Sequence, residues 1–191
     1  VTGAGNFDYN SNITVKATAS TGYNFAGWYE NGLKVSDSQT YSFVVKSNRT
    51  LEARFLPNKY SIVTNATTGG TATGGGSFDY NSKATVTAKA DAGYSFLGWY
   101  NGSTKVSDSP AYSFTVTESV NLTAKFSADK HSIVTNATAG GTVTGAGNFD
   151  YNSNITVKAT PNTGYEFNGW YENGSKVSDS QTYSFVVKNN R

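Results

Sequence analysis

Few residues in this chain have the type and spacing to do chemistry. The single histidine, His131, stands 71 positions after Tyr60 in otherwise matching sequence, so it reads as a strand substitution and not as a base or ligand. Cysteine is absent and serine and threonine are abundant, but without a His or Cys partner no nucleophile triad can be built. The only carboxylates present in all three copies are Asp8, Asp79 and Asp150, and Asp37, Asp108 and Asp179. A glycosidase pair would have to flank one cleft. Lying in Phe-Asp-Tyr-Asn and Ser-Asp-Ser, they are instead expected to be turn residues whose oxygens accept backbone N–H groups. Asp8, Asn10 and Asn12 offer oxygens to calcium, but one carboxylate and no Asp-x-Asp-x-Asp-Gly loop argue against that site. Thr2-Gly-Ala-Gly-Asn6 lacks the third glycine and the following helix of a nucleotide loop. The expectation is no enzyme, no cofactor and no metal. Sequons such as Asn12-Ile-Thr14 are what chance provides in a chain rich in Asn, Ser and Thr.

What remains is aromatic. Trp28 and Tyr29, Trp99 and Tyr100, and Trp170 and Tyr171 each sit in a Gly-Tyr-x-Phe-x-Gly-Trp-Tyr phrase. An exposed Trp-Tyr pair would form a platform for sugar rings, repeated along the chain. The competing reading places the tryptophan in a core. Position 26 is Ala, and its counterparts are Leu97 and Asn168, so it is expected to face solvent and Phe25 to face inward. Strict alternation would then turn Trp28 outward. A bulge at Gly27 would return it to the side of Phe25, where burial stabilises by about 3 kcal/mol.

These phrases belong to a tandem repeat. Tryptophans at 28, 99 and 170, Phe-Asp-Tyr-Asn at 7, 78 and 149, and Tyr-Ser-Phe at 41, 112 and 183 all recur at a spacing of 71. Such a period means one folding unit copied in line. The expected modules are residues 1–58, lacking a first strand; 59–129, complete; and 130–191, lacking a last strand. Copies one and three differ at only six positions, 19, 20, 24, 26, 33 and 47, over residues 1–49 and 143–191. Apolar and polar residues alternate in Ile13-Thr-Val-Lys-Ala-Thr18, Tyr41-Ser-Phe-Val-Val-Lys46 and Leu51-Glu-Ala-Arg-Phe55, which is the pattern of strands with one buried face. No window has helical spacing, so the fold class is all-β. Asn31-Gly32 and Asn173-Gly174 suit two-residue hairpins. Leu56-Pro-Asn58 and Ser127-Ala-Asp129 are expected linkers, too short for much freedom, so modules should sit end to end.

With 15 basic and 13 acidic residues scattered along the chain, there is no electrostatic footprint for nucleic acid and no polybasic patch for a membrane surface. No apolar run approaches the roughly 18 residues of a membrane span. Without disulfides, small modules must hold by packing alone.

Ser-Ile-Val-Thr, Gly-Gly-Thr, Ile-Thr-Val-Lys-Ala-Thr, Gly-Tyr-x-Phe-x-Gly-Trp-Tyr, Tyr-Ser-Phe-x-Val and Leu-x-Ala-x-Phe together resemble the divergent internalin B-repeat, or Listeria-Bacteroides repeat. The resemblance covers all three copies and is most specific at Gly93–Tyr100, Tyr112–Val116 and Leu122–Phe126. It implies an extracellular, secreted or surface-anchored bacterial protein, with compact modules that are β-grasp-like or small sandwiches. It brings no catalytic residues, and no segment here would make the crossing helix of a β-grasp unit. The function expected is a non-enzymatic stalk in adhesion, whose partners are neighbouring repeats. The alternative is a multivalent module for a surface glycan or host protein, using the six Trp and Tyr residues above.

Overall fold

The computed structural model describes residues 1–191, and every regular element in it is a strand. Copy one contains β1 (Asn12–Lys16), β2 (Tyr23–Glu30), β3 (Leu33–Ser36), β4 (Thr40–Val44) and β5 (Glu52–Pro57). Copy two contains β6 (Lys59–Ala66), β7 (Gly70–Thr73), β8 (Gly76–Asp79), β9 (Lys83–Ala90), β10 (Tyr94–Asn101), β11 (Thr104–Ser107), β12 (Ala111–Thr115) and β13 (Val120–Ala128). Copy three contains β14 (Lys130–Ile133), β15 (Gly141–Thr144), β16 (Gly147–Asp150), β17 (Asn154–Pro161), β18 (Trp170–Glu172), β19 (Ser175–Ser178) and β20 (Thr182–Val186). By compactness the chain divides into two units. One comprises Val1–Val63, Gly74–Thr85 and Ser113–Asn121; the other comprises Thr64–Thr73, Val86–Tyr112 and Leu122–Arg191.

No sheet joins strands of different copies. In copy one, β1 pairs antiparallel with β4, and β2 lies between β3 and β5. Copy two has the complete set, in sheets of order β11-β10-β13-β6-β8 and β12-β9-β7. The first and last strands of the repeat are thus central neighbours, with β8 beyond β6 and β10 beyond β13, the order of a β-grasp sheet. The expected absence of a crossing helix has a simple answer: the chain uses β9 there, with Ala84, Val86 and Ala88 buried at every second residue. In copy three, β18 has three residues where β2 and β10 have eight, and it pairs with β19 alone. In the other copies that stretch is held by β5 or β13 on its second side.

The core follows the alternation. In copy one Val15, Ala17 and Trp28 are buried, and Phe25, Tyr41, Phe43, Leu51, Ala53 and Phe55 are packed against them. Copy three gathers Ile133, Ile155, Val157 and Val187 with Phe149, Trp170, Tyr183 and Phe185. Opposite faces carry polar pairs, among them Thr14 with Ser42 and Thr156 with Ser184, each at 2.7 Å between hydroxyls.

The hairpin tips form as their residues require. Asn31 and Gly32 have φ of 49° and 81°, and Asn173 and Gly174 have 48° and 81°, the two positive values of a type I′ turn. Copy two shifts the Asn-Gly by one position, and only Gly102, at 60°, takes positive φ in its tip. Asn101 is drawn into β10, opposite Thr104.

The expected three-residue linkers are not loops. Leu56 and Pro57 belong to β5, and Ser127 and Ala128 belong to β13. Only Asn58 and Asp129 stand between the last strand of one copy and the first of the next.

Candidate functional site

The Trp-Tyr phrase is resolved by the bulge. The β2–β5 register slips between Phe25 and Gly27, and the β10–β13 register slips between Phe96 and Gly98. Gly27 has φ 139°, and a Cβ there would lie 2.9 Å from the Ser36 carbonyl oxygen, so a residue with a side chain is strained at this bend. The slip turns Phe25 and Trp28 to the same side, edge to face at 6.0 Å, and Phe96 and Trp99 likewise at 6.3 Å. Trp28 is 1% exposed and Trp99 is 0% exposed. Their indole N–H groups donate to the Gln39 and Pro110 carbonyls at 3.4 and 3.1 Å. Trp170 is half-buried and donates to the Gln181 carbonyl at 3.4 Å.

The paired-ring sugar platform is therefore not formed at Trp28–Tyr29 or Trp99–Tyr100: the bulge faces tryptophan inward, and only tyrosine remains outside. Tyr29 and Tyr100 are half-buried and Tyr171 is exposed. Each lies under cations: Arg54 at 4.2 Å and Lys34 at 5.8 Å from the Tyr29 ring, Lys125 at 4.1 Å from Tyr100, and Lys176 at 5.7 Å from Tyr171. Acrylamide quenching of the intact chain should reveal two shielded tryptophans and one more accessible one. Trp170→Phe should then leave only shielded emission; strong residual quenching would contradict the burial of Trp28 and Trp99.

The recurring aspartates do not use their carboxylates as expected. Asp37 pairs with Lys34 at 2.8 Å and Asp179 with Lys176 at 2.7 Å, while Asp79 pairs with Lys59 and Asp150 with Lys130, both at 2.8 Å. Serine takes the backbone-capping role instead. The Ser36 and Ser38 hydroxyls accept from the N–H groups of Ser38 and Thr40. In the Phe-Asp-Tyr-Asn turn it is the Asp8 carbonyl that accepts, from Ser11 Oγ at 2.6 Å. Asn10, Asn81 and Asn152 take φ of 65–70° there, which asparagine tolerates.

That turn holds the feature that sequence reading missed. The Asn58 N–H donates to the Gly22 carbonyl at 2.8 Å, and the Asn58 carbonyl accepts from the Tyr80 N–H at 2.8 Å. Both backbone groups of the connecting residue are thus bonded, one to the copy before and one to the copy after. The Tyr80 ring lies on Gly22, where a Cβ would be 2.3 Å from it, and meets Tyr23 edge-on at 5.7 Å. The next junction repeats this arrangement. Asp129 donates to the Gly93 carbonyl at 2.9 Å and accepts from the Tyr151 N–H at 2.7 Å. Tyr151 covers Gly93, meets Tyr94 at 6.0 Å and His131 at 6.1 Å, and carries Lys188 at 4.5 Å over its ring. At Asp129 the carboxylate also accepts from Ser95 Oγ at 2.6 Å, whereas Asn58 Oδ1 is buried without a partner. Tyr9, the counterpart of Tyr80 and Tyr151, is 70% exposed, and Gly164 has open space where Gly22 and Gly93 carry a ring. The signal was present in the sequence: Tyr9, Tyr80 and Tyr151 recur in a turn that needs no aromatic residue.

A second device closes copies one and three. Arg49 reaches back to Glu30 with Nε at 3.0 Å and a terminal nitrogen at 2.7 Å, its guanidinium 4.5 Å from the Phe43 ring centre. Arg191 does the same with Glu172 over Phe185 at 4.1 Å. Such forked, stacked pairs are geometrically specific. Copy two has Asn101 and Val120 at these positions. Hydrogen bonds from Arg49 and Arg191 hold the Glu30 and Glu172 carboxyls below the usual carboxylate range. With folded values below the unfolded value of about 4.3, this stabilisation is present above that pH and is lost as pH falls through the lower folded values. Thermal melts should therefore weaken progressively on acidification, and Glu30→Gln with Glu172→Gln should flatten part of that limb. An unchanged acid limb in the double variant would contradict the assignment.

Residues 1–59, 60–130 and 131–191 each match the divergent InlB B-repeat domain. The chain is also similar to a protein of Evansella cellulosilytica described as "Putative membrane protein", 29% identical over 153 residues, covering 79% of this chain and 23% of the relative. It thus spans less than a quarter of that relative's length. Among solved structures it is similar to the Bacillus anthracis TIE protein at 13% identity, over 94% of this chain and 49% of that one, with a TM-score of 0.32. The family match runs through all three copies without a gap, and the chain belongs to the divergent InlB B-repeat domain family.

Proposed function

We propose that this chain is a spacer: a run of repeats in a bacterial surface protein that holds a binding region away from the cell, with no catalytic role of its own. Repeats of this family are typical of bacterial surface proteins, and no helix is long and apolar enough to cross a membrane. The observation that carries the reading is the junction. One connecting residue, bonded through both its N–H and its carbonyl, with a tyrosine ring seated on a glycine, resists bending in a way that a flexible linker does not. Each folded unit is then the 71-residue repeat of which 59–129 is the complete example.

Small-angle scattering on a series of arrays with increasing repeat number tests this. The maximum dimension should rise by an equal increment per added repeat. Growth as the square root of repeat number would mean freely jointed modules and would end the spacer reading.

A further inference from the structure

β6 and β13, the first and last strands of copy two, are neighbours in their sheet. Their relative direction follows from the bonds between them. The Ser61 N–H donates to Ser119 Oγ at 3.0 Å. Further along, the Thr67 N–H donates to the Ala124 carbonyl at 3.0 Å, and Thr67 Oγ1 accepts from the Phe126 N–H at 3.0 Å. Residue numbers rise together on both sides, so the strands run parallel. Copy three begins the same arrangement. The Arg191 N–H donates to the Ser132 carbonyl at 3.0 Å, and the Val134 N–H donates to the Arg191 carbonyl at 2.7 Å. Two bonds that straddle Ile133 in this way make a parallel bridge.

Parallel pairing of the first and last strands decides how tension acts on the repeat. The chain enters copy two at Lys59 and leaves at Ala128. A pull along the polypeptide drags β6 toward its own start and β13 toward its own end. For parallel neighbours these are opposite directions on one axis, so the bonds between them are loaded together in shear. Peeling would break them one at a time. Sliding would also drag Ile62, Leu122 and Phe126, all buried, out of their packing. Only Asn58 and Asp129 separate the strands of successive repeats, so little slack lies between one such pair and the next.

We propose that each complete repeat is a force-bearing element, in which the parallel first and last strands form a shear clamp that keeps the repeat folded while the chain is pulled end to end. This builds on the spacer reading, since a tether that spaces also transmits pull, but it fails separately: scattering reports length without force, and rupture reports force without regard to length.

The chain contains no cysteine, so two introduced cysteines define a unique pulling axis in single-molecule force spectroscopy of the whole chain. Lys59→Cys with Lys130→Cys loads the pair in shear. Lys59→Cys with Glu118→Cys, at one end of the same two strands, peels it. The expected result is a rupture force several-fold higher in the first geometry. The shear event should release a contour of about 25 nm, from roughly 3.6 Å for each residue between the handles. Thr67→Pro removes a donor from the clamp, and Thr67→Val removes only the hydroxyl acceptor. Both should lower the shear force while leaving the peeling force nearly unchanged. Equal forces in the two geometries, or a shear force insensitive to both Thr67 variants, would overturn the clamp.

Discussion

Replacing Trp99 with alanine is expected to destabilise copy two by about 3–5 kcal/mol, the usual cost of truncating a buried large aromatic. The indole is fully buried, lies edge-on to Phe96 and is opposite Ala124 in the β10–β13 register. The indole N–H bond to the Pro110 carbonyl is lost as well, but that carbonyl keeps the Ala88 N–H at 2.9 Å, so the cavity is the main cost. A small β repeat has few other large side chains with which to close the hole, and a loss of this size is a large part of a total of about 5–15 kcal/mol. Urea denaturation followed by far-UV circular dichroism should show an early transition for copy two. Trp99→Phe should recover part of the loss. A change within about 0.5 kcal/mol, the range of surface substitutions, would mean that the ring is not packed as described.

The second large effect is expected at the junction. Gly93 has φ 80°, and a Cβ there would lie 2.4 Å from the Tyr151 ring. Gly93→Val adds the left-handed strain of about 1–2 kcal/mol and expels the ring. Tyr151 should then become as exposed as Tyr9, and amide exchange at Asp129 and Tyr151 should accelerate together, because the ring and the two hydrogen bonds hold the same crossing. Gly164→Val is the matched control: φ is 84°, but nothing lies within 4 Å of its Cβ position, so it should carry the strain and no loss of coupling. Protection at Tyr151 that survives Gly93→Val would show that the ring does not hold the junction.

The parts of this structure readable from sequence are those in which cause and effect lie close together along the chain. Alternation in Ile13–Thr18 gives a strand because neighbouring residues face opposite sides. The conflict between Ala26, Phe25 and Trp28 pointed to a bulge at Gly27 because only three positions were involved. The contacts that were not legible bring together residues far apart in sequence. Tyr80 sits on Gly22 of the preceding copy, and Arg49 curls back over Phe43 to Glu30. Asp37 was readable as a turn residue, but Lys34 won its carboxylate because nearby serine hydroxyls had already satisfied the backbone. Exposed pairs of this kind contribute about 0–1 kcal/mol, too little to leave a strong trace in composition.

The Arg–Glu clasp alternates along the chain, present in copies one and three and replaced by Asn101 and Val120 between them. Tandem domains of near-identical sequence are prone to exchange strands with their neighbours while a polypeptide emerges from the ribosome. Here the two near-identical copies are not adjacent. A hairpin of copy two exchanged into copy one would set Asn101 against Arg49, leaving a half-buried guanidinium without its carboxylate. The reverse exchange would face Glu30 with Val120. Both hybrids lose the pair that the correct fold keeps, so the alternation discourages misassembly between neighbours during synthesis.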